Sequence, residues 1–428
     1  MAKRFFAIIT GLLLASSLLG QDTLWMSLDS CLSYAYRHNT TIQNSVLNQQ
    51  AAAVSYEGAK LRFLPTLSAS ATQTLSLQQG SSILDGNYGV SASLPLYNGG
   101  SRLLGIQSAK ITQAQSALQV EQSQNQIGSQ IVSAYLTIVM NQELLLYQQE
   151  LLKTAKEQQD EGKLKYDIGK ILESDYGLLV ANCLSVESDI EQTRITIESN
   201  QLTLRTLLGI ADNQVIGIKG DYGKTEANDI LLPLQDSAVA QGIRHLPDVA
   251  ISQKGVDLAQ LGIKSARASQ LPSIGLSAGT NYFGGKSNTV DGSGTLITQG
   301  GWSGNVGLSL LIPILNQGTY RTQYKQSKIQ LQQAQLQLTQ TQQETRQKVE
   351  AQYLNTKQRL NKFRSAEALA KAYKASYDVY VVKYGQGAVT TVEMLQQQDR
   401  YLSSLNDYLQ SKYSFMLERR ILSIYTGQ

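Results

Sequence analysis

The chain has 428 residues, 16% of them charged, and a formal charge of +4. That length suits two or three ordinary domains, and the weak positive balance, with no block of Lys and Arg, argues against a nucleic-acid partner. Two cysteines and two histidines, each pair widely separated, leave no metal-type or nucleophile–base cluster, so no cofactor and no enzyme chemistry is expected.

The chain opens MAKRFFAIITGLLLASSLLG. Lys3 and Arg4 precede an apolar stretch from Phe5 to Leu14, and small residues follow (Ala15, Ser16, Ser17, Gly20). This reads as a secretory signal peptide over 1–20. No later segment approaches the roughly 18 consecutive apolar residues of a membrane helix. Strands cross membranes with a weaker signal, so a membrane role stays open.

From residue 21 the chain reads as a duplication. Arg37-His38-Asn39 returns as Arg244-His245-Leu246 and Leu64-Pro65 as Leu271-Pro272, both 207 positions later. Pro95 returns as Pro313, Gly169 as Gly387 and Gly209 as Gly427, now 218 positions later. The 11 extra residues fall in the Gly-rich stretch YFGGKSNTVDGSG, where an exposed loop tip is expected. Repeat one is assigned to 21–209 and repeat two to 234–428, with 210–233 as a linker. The histidines are repeat positions, and Cys31 and Cys183 ordinary packing residues.

Each repeat begins with a helix, ending near Lys60 or Arg267. Strand pairs follow over 66–97 and 273–313. In the first, Leu67, Ala69, Ala71, Leu75 and Leu77 alternate with Ser68, Ser70, Thr72, Thr74 and Ser76. The return strand sets Tyr88, Val90, Ala92, Leu94 and Leu96 against Gly89, Ser91 and Ser93. Such alternation predicts half-buried strands of membrane-crossing length with a small, polar inner face, or else two soluble hairpins packed on a core; the signal peptide and the lack of any other sizeable apolar surface favour the membrane. Tyr88, Tyr97, Tyr282 and Trp302 lie near strand ends, where interfacial aromatics collect. Four strands cannot close a barrel, and an open edge in lipid costs several kcal/mol per unpaired backbone group. Two chains would pool eight strands and three would pool twelve. Pro95 and Pro313 are expected at the corners where strand becomes helix. TNYFGGKS at Thr280 resembles a phosphate loop without its first Gly, and a hairpin loop is the preferred reading.

The following helix, from about Ser101 to Lys165, would be about 90 Å long. Ile127, Ile131, Ala134, Ile138, Asn141 and Leu145 form one coiled-coil seam, and Val349, Tyr353, Thr356, Leu360 and Phe363 another. The helices break at 165–175 (KYDIGKILESD) and 383–393 (KYGQGAVTTVE). Gly169 and Gly387 supply backbone freedom for fold-back turns. Asp175 and Glu393 then stand at matching points. They are either carboxylate rings at a cation-selective constriction of an oligomer or exposed acids favourable to a helix start.

The duplicated order, the LP before each strand pair, LPLYNGG at the corner, and YDIGKILESD with YGQGAVTTVEML at the turns together resemble the TolC-like outer membrane efflux proteins. That resemblance covers Ser27 to Gly427. It implies an α+β membrane protein: a homotrimer whose 12-stranded outer membrane β-barrel, four strands per chain, continues into a long periplasmic α-helical coiled-coil tunnel. It implies a passive channel in a Gram-negative outer membrane, for efflux or type I secretion. The partners would be a periplasmic adaptor and an inner membrane pump or ABC exporter. The adaptor would dock at the tip turns, around Gly169, Lys170, Ile171, Gly387, Ala388 and Val389. Glu393 falls where the family carries an entrance-constricting acid, and Asp175 and Tyr384 where members link helices when closed. Val389 stands where some members have Arg, and Gln396 where they have a second acid. A non-conducting coiled-coil structural or adhesion protein is the alternative; it leaves the strand pairs unexplained.

Overall fold

The computed structural model describes residues 24–78, 81–210, 216–218, 232–290 and 296–427; the leader at 1–20 lies outside them. In chain order the described elements are β1 (Leu24–Met26), α1 (Leu28–His38), α2 (Thr40–Leu61), β2 (Thr66–Gln78), β3 (Ser81–Asn98), α3 (Ser101–Asp167), α4 (Glu173–Leu208), β4 (Ile216–Ile218), α5 (Gln235–His245), α6 (Pro247–Ala268), β5 (Ser273–Val290), β6 (Leu296–Leu311), α7 (Thr319–Gly385) and α8 (Thr391–Thr426). Both repeats follow one plan. The long helices α3 and α7 have 67 residues each, and α4 and α8 have 36 each.

The chain forms two compact units. One, made of 46–119 and 248–341, carries the larger sheet. Its strands run antiparallel in the order β2-β3-β5-β6, so β2 and β6 are open edges. The alternating sequence places its apolar residues on one face as expected. Leu67 is 72% exposed, Leu308 70% and Val306 79%, so no second layer of described residues covers them. A cross-strand row of aromatics lies on the same face. Tyr88 pairs with Tyr282, and Tyr282 with Trp302, with ring centroids 6.5 and 5.2 Å apart.

Pro95 is not the corner. It lies inside β3, at the irregularity between Pro95 and Tyr97 where the pairing with β5 shifts. A residue without an N–H is tolerated there because the ladder is already interrupted. The turn into α3 is made by Gly99 and Gly100, with φ of 66° and 84°. Pro313 does lie between β6 and α7, but Gln317 and Gly318, φ 55° and 76°, make the turn. Nor is TNYFGGKS a loop. It sits within β5, hydrogen-bonded to β3 along one side and to β6 along the other. Part of the 11-residue insertion therefore lengthens strands, and the remaining tip, 291–295, lies outside the described residues.

The second unit spans 1–45, 120–247 and 342–428, and its described residues are mainly helical. Its seams follow the expected spacing. Ile127, Ile131, Ile138 and Asn141 are buried, as are Val349, Tyr353, Thr356, Leu360 and Phe363; Ala134 and Leu145 are half-buried. Two features differ from expectation. The first helix of each repeat is broken, at Asn39 and at Leu246, with His38 and His245 as the last residues before the breaks. The supposed linker contains β4, which pairs in parallel with β1 in a small sheet.

Candidate functional site: the paired helix turns

The first turn spans 168–172 and the second 386–390. Each is tied by the same pair of backbone bonds. Gly169 N–H donates to the Tyr166 carbonyl and Lys170 N–H to Lys165; Gly387 N–H donates to Tyr384 and Ala388 N–H to Lys383. This wrapping of a helix C-terminus needs a left-handed residue, and Gly169 and Gly387 both have φ of 73°.

Asp175 and Glu393 occupy the same place, the third residue of α4 and of α8. Their surroundings differ. Thr390 caps α8, and a capping box closes. The Thr390 N–H donates to the Glu393 carboxylate at 2.8 Å, the Thr390 hydroxyl donates at 3.0 Å, and the Glu393 N–H donates back to Thr390 Oγ1 at 3.3 Å. The backbone bond first, and the hydroxyl second, hold the Glu393 carboxyl below the usual carboxylate range against a small opposing effect of burial. In α4 the cap position is Leu172, which has no side-chain acceptor. Asp175 is half-buried and forms no side-chain hydrogen bond or ion pair with the described residues.

The turns share one core. Leu151 of α3, Leu179, Val186 and Ile190 of α4, Tyr377 and Tyr384 of α7 and Met394 of α8 pack together, and Val389 packs against them. Half-buried Val389 is thus partly spent on this core rather than wholly offered to a partner. Gly169, Lys170, Gly387 and Ala388 are exposed and Ile171 half-buried. Among the described residues Asp175 and Tyr384 are not joined: Tyr384 is 5% exposed and its hydroxyl has no hydrogen-bond partner among them. Lys165 engages Tyr384 instead. Its Nζ lies 4.6 Å from the ring centroid, donates to the Tyr384 carbonyl at 3.4 Å and pairs with Glu161 at 2.9 Å. Further along, the Asn182 and Gln398 amides bond reciprocally, Gln398 Nε2 to Asn182 Oδ1 at 2.9 Å and Asn182 Nδ2 to Gln398 Oε1 at 3.4 Å. Neither contact was anticipated, because each joins residues more than 200 positions apart.

No helix among the described residues is long and apolar enough to cross a membrane, and no group of acids, histidines and cysteines among them could hold a metal. What the fold offers is a four-stranded sheet with an uncovered apolar face in one unit and a body of long helices in the other, the make-up of a β-sheet membrane protein that also carries a large helical part. The model of the outer membrane efflux protein family matches residues 31–210 and 241–428, and the chain belongs to that family. It is 20% identical to the outer membrane efflux protein BepC of Brucella suis over 424 residues, covering 97% of this chain and 89% of that one. Among solved structures it is similar to the Campylobacter jejuni CmeC outer membrane channel, at 18% identity, TM-score 0.75 and 94% and 85% coverage of the two chains. It is also similar to the open state of the Neisseria gonorrhoeae MtrE outer membrane channel, at 19% identity, TM-score 0.73 and 94% and 88% coverage. This chain is accordingly an outer membrane efflux protein by family.

Proposed function

We propose that three copies pool their strands into one twelve-stranded barrel. The helical bodies would then form a periplasmic tunnel that passively conducts substrates outward. A periplasmic adaptor would dock at the tip turns, and an inner membrane pump or ABC exporter would supply the energy. The observation that carries this reading is the sheet: an uncovered apolar face bounded by two open edges. Water does not favour such a face, and lipid does not tolerate such edges unless neighbours pair them. From Tyr88 to Tyr97 is about 30 Å of strand at about 3.3 Å per residue, or about 23 Å of height at a tilt of about 40°, close to the apolar band of an outer membrane barrel.

Exposed Glu393, repeated around the trimer, would set charge selectivity at the tip. The test is single-channel recording in planar bilayers. Wild-type protein is expected to form cation-preferring channels and Glu393→Gln channels with weakened preference. Unchanged selectivity would remove Glu393 from the constriction, and absence of channels altogether would sink the duct.

A further inference from the structure

Within the helical unit lies an ion pair that the duct reading does not use. Lys412 of α8 donates to both carboxylate oxygens of Glu143 on α3, at 3.0 and 2.9 Å, and the Tyr413 hydroxyl donates to the same carboxylate at 2.5 Å. The Lys412 and Glu143 side chains are only 3% and 9% exposed. Tyr147 of α3 and Tyr408 of α8 are the other ionisable side chains held in their neutral form partly by the Glu143 charge, after burial. We propose that Glu143, Lys412 and Tyr413 form a register key. It seats α8 on α3 in one alignment and so positions the far end of α8, where Glu393 stands.

Three observations support this. First, a duplicated chain has an ambiguity to resolve: its long helices are equal in length, its short helices are equal in length, and apolar seams can slip by a heptad. One buried polar contact at a seam fixes register where apolar contacts do not. Second, the key exists once. The positions 218 residues away are Asn361 on α7 and Arg194 and Ile195 on α4. Ile195 is 60% exposed, and Arg194 is an exposed partner of Glu191 in its own helix. Third, a buried ion pair generally adds little stability over an apolar replacement, whereas removing one partner is costly. Specificity accounts for its presence better than stability does.

The test uses the full-length protein in detergent. Lys412→Met is expected to melt about 10 °C below wild type near neutral pH. Glu143→Gln, which leaves Lys412 buried without its counter-charge, is expected to fall by a similar amount. The apolar variant Glu143→Leu/Lys412→Met/Tyr413→Phe is expected to melt like wild type but to lose its unique alignment. Spin labels at exposed Gln149 and Gln410, with labelled chains diluted by unlabelled ones, would report one distance in wild type and two or more in the apolar variant. A single wild-type distance in that variant would overturn the proposal, as would single variants that melt like wild type. Neither readout depends on channel activity.

Discussion

Asn39 joins two helices of the first repeat to one another. Its side-chain nitrogen donates to the Leu207 carbonyl at 2.7 Å, at the end of α4, while its side-chain oxygen accepts the N–H groups of Thr41 and Ile42 at 2.9 and 3.1 Å, at the start of α2. One buried amide thus satisfies free ends of two helices. The second repeat solves the problem differently. Leu246 packs beside Val239 and Val349, and Pro247, which has no N–H, begins α6. Asn39→Leu is therefore expected to destabilise the helical unit by about 2 kcal/mol. Adding Thr40→Pro, which copies the second repeat, should restore part of that loss. Denaturant midpoints of the two variants would check this, and no rescue by Thr40→Pro would refute the equivalence.

Acid should loosen the start of α8. The Glu393 carboxyl is depressed by its two bonds from Thr390. Its contribution is therefore complete above the unfolded-state value and lost as pH falls through the lower folded value. Protection of the amides at 391–394, measured against their intrinsic exchange rates at each pH, should fall on acidification in wild type. It should be low at every pH in Glu393→Ala, and the amides at the start of α4, which has no such box, should show no matching change.

Lys165 is expected to hold the two turns together. Lys165→Met should raise hydrogen exchange at both 168–172 and 386–390, and Lys165→Arg, which keeps the charge near the Tyr384 ring, should not. A rise confined to the first turn would mean that the bond to the Tyr384 carbonyl carries no weight.

Two helix glycines should respond oppositely to the same change. A Cβ on Gly162 would overlap Leu179, itself 1% exposed in the shared core, whereas a Cβ on Gly177 would meet nothing within 4 Å. Gly162→Ala is expected to cost about 1 kcal/mol despite better helix propensity, and Gly177→Ala to stabilise by about 0.5–1 kcal/mol. Thermal melting in detergent distinguishes the two.

On the sheet, Leu308→Lys should cost about 2–4 kcal/mol if that face meets the bilayer centre, with Ser309→Lys on the opposite face tolerated. Equal effects in a folding assay on vesicles would show that the faces are not sorted between lipid and lumen.

Much of this architecture was legible because long helices and alternating strands repeat the same signal many times. The seam from Val349 to Phe363 and the glycines of both turns are such cases. The two helix breaks were not legible, since a break at Asn39 rests on one side chain reaching Leu207. The three-residue strands β1 and β4 are too short to carry a period. Nothing in the local pattern marks Glu143 or Lys412, and only the fold brings them together across 269 positions. Tyr166 and Tyr384 are repeat equivalents, yet Tyr166 is 38% exposed and stacks on Tyr176 while Tyr384 is buried; no local pattern separates them.

The equal helix lengths restrict how this chain can change. Deleting one residue from α3 would turn everything beyond it by about 100° and draw it back by about 1.5 Å, carrying the 168–172 turn out of level with its counterpart unless α7 lost a residue too. Length variation is therefore safest in the hairpins, and the 11 residues by which the halves differ fall there.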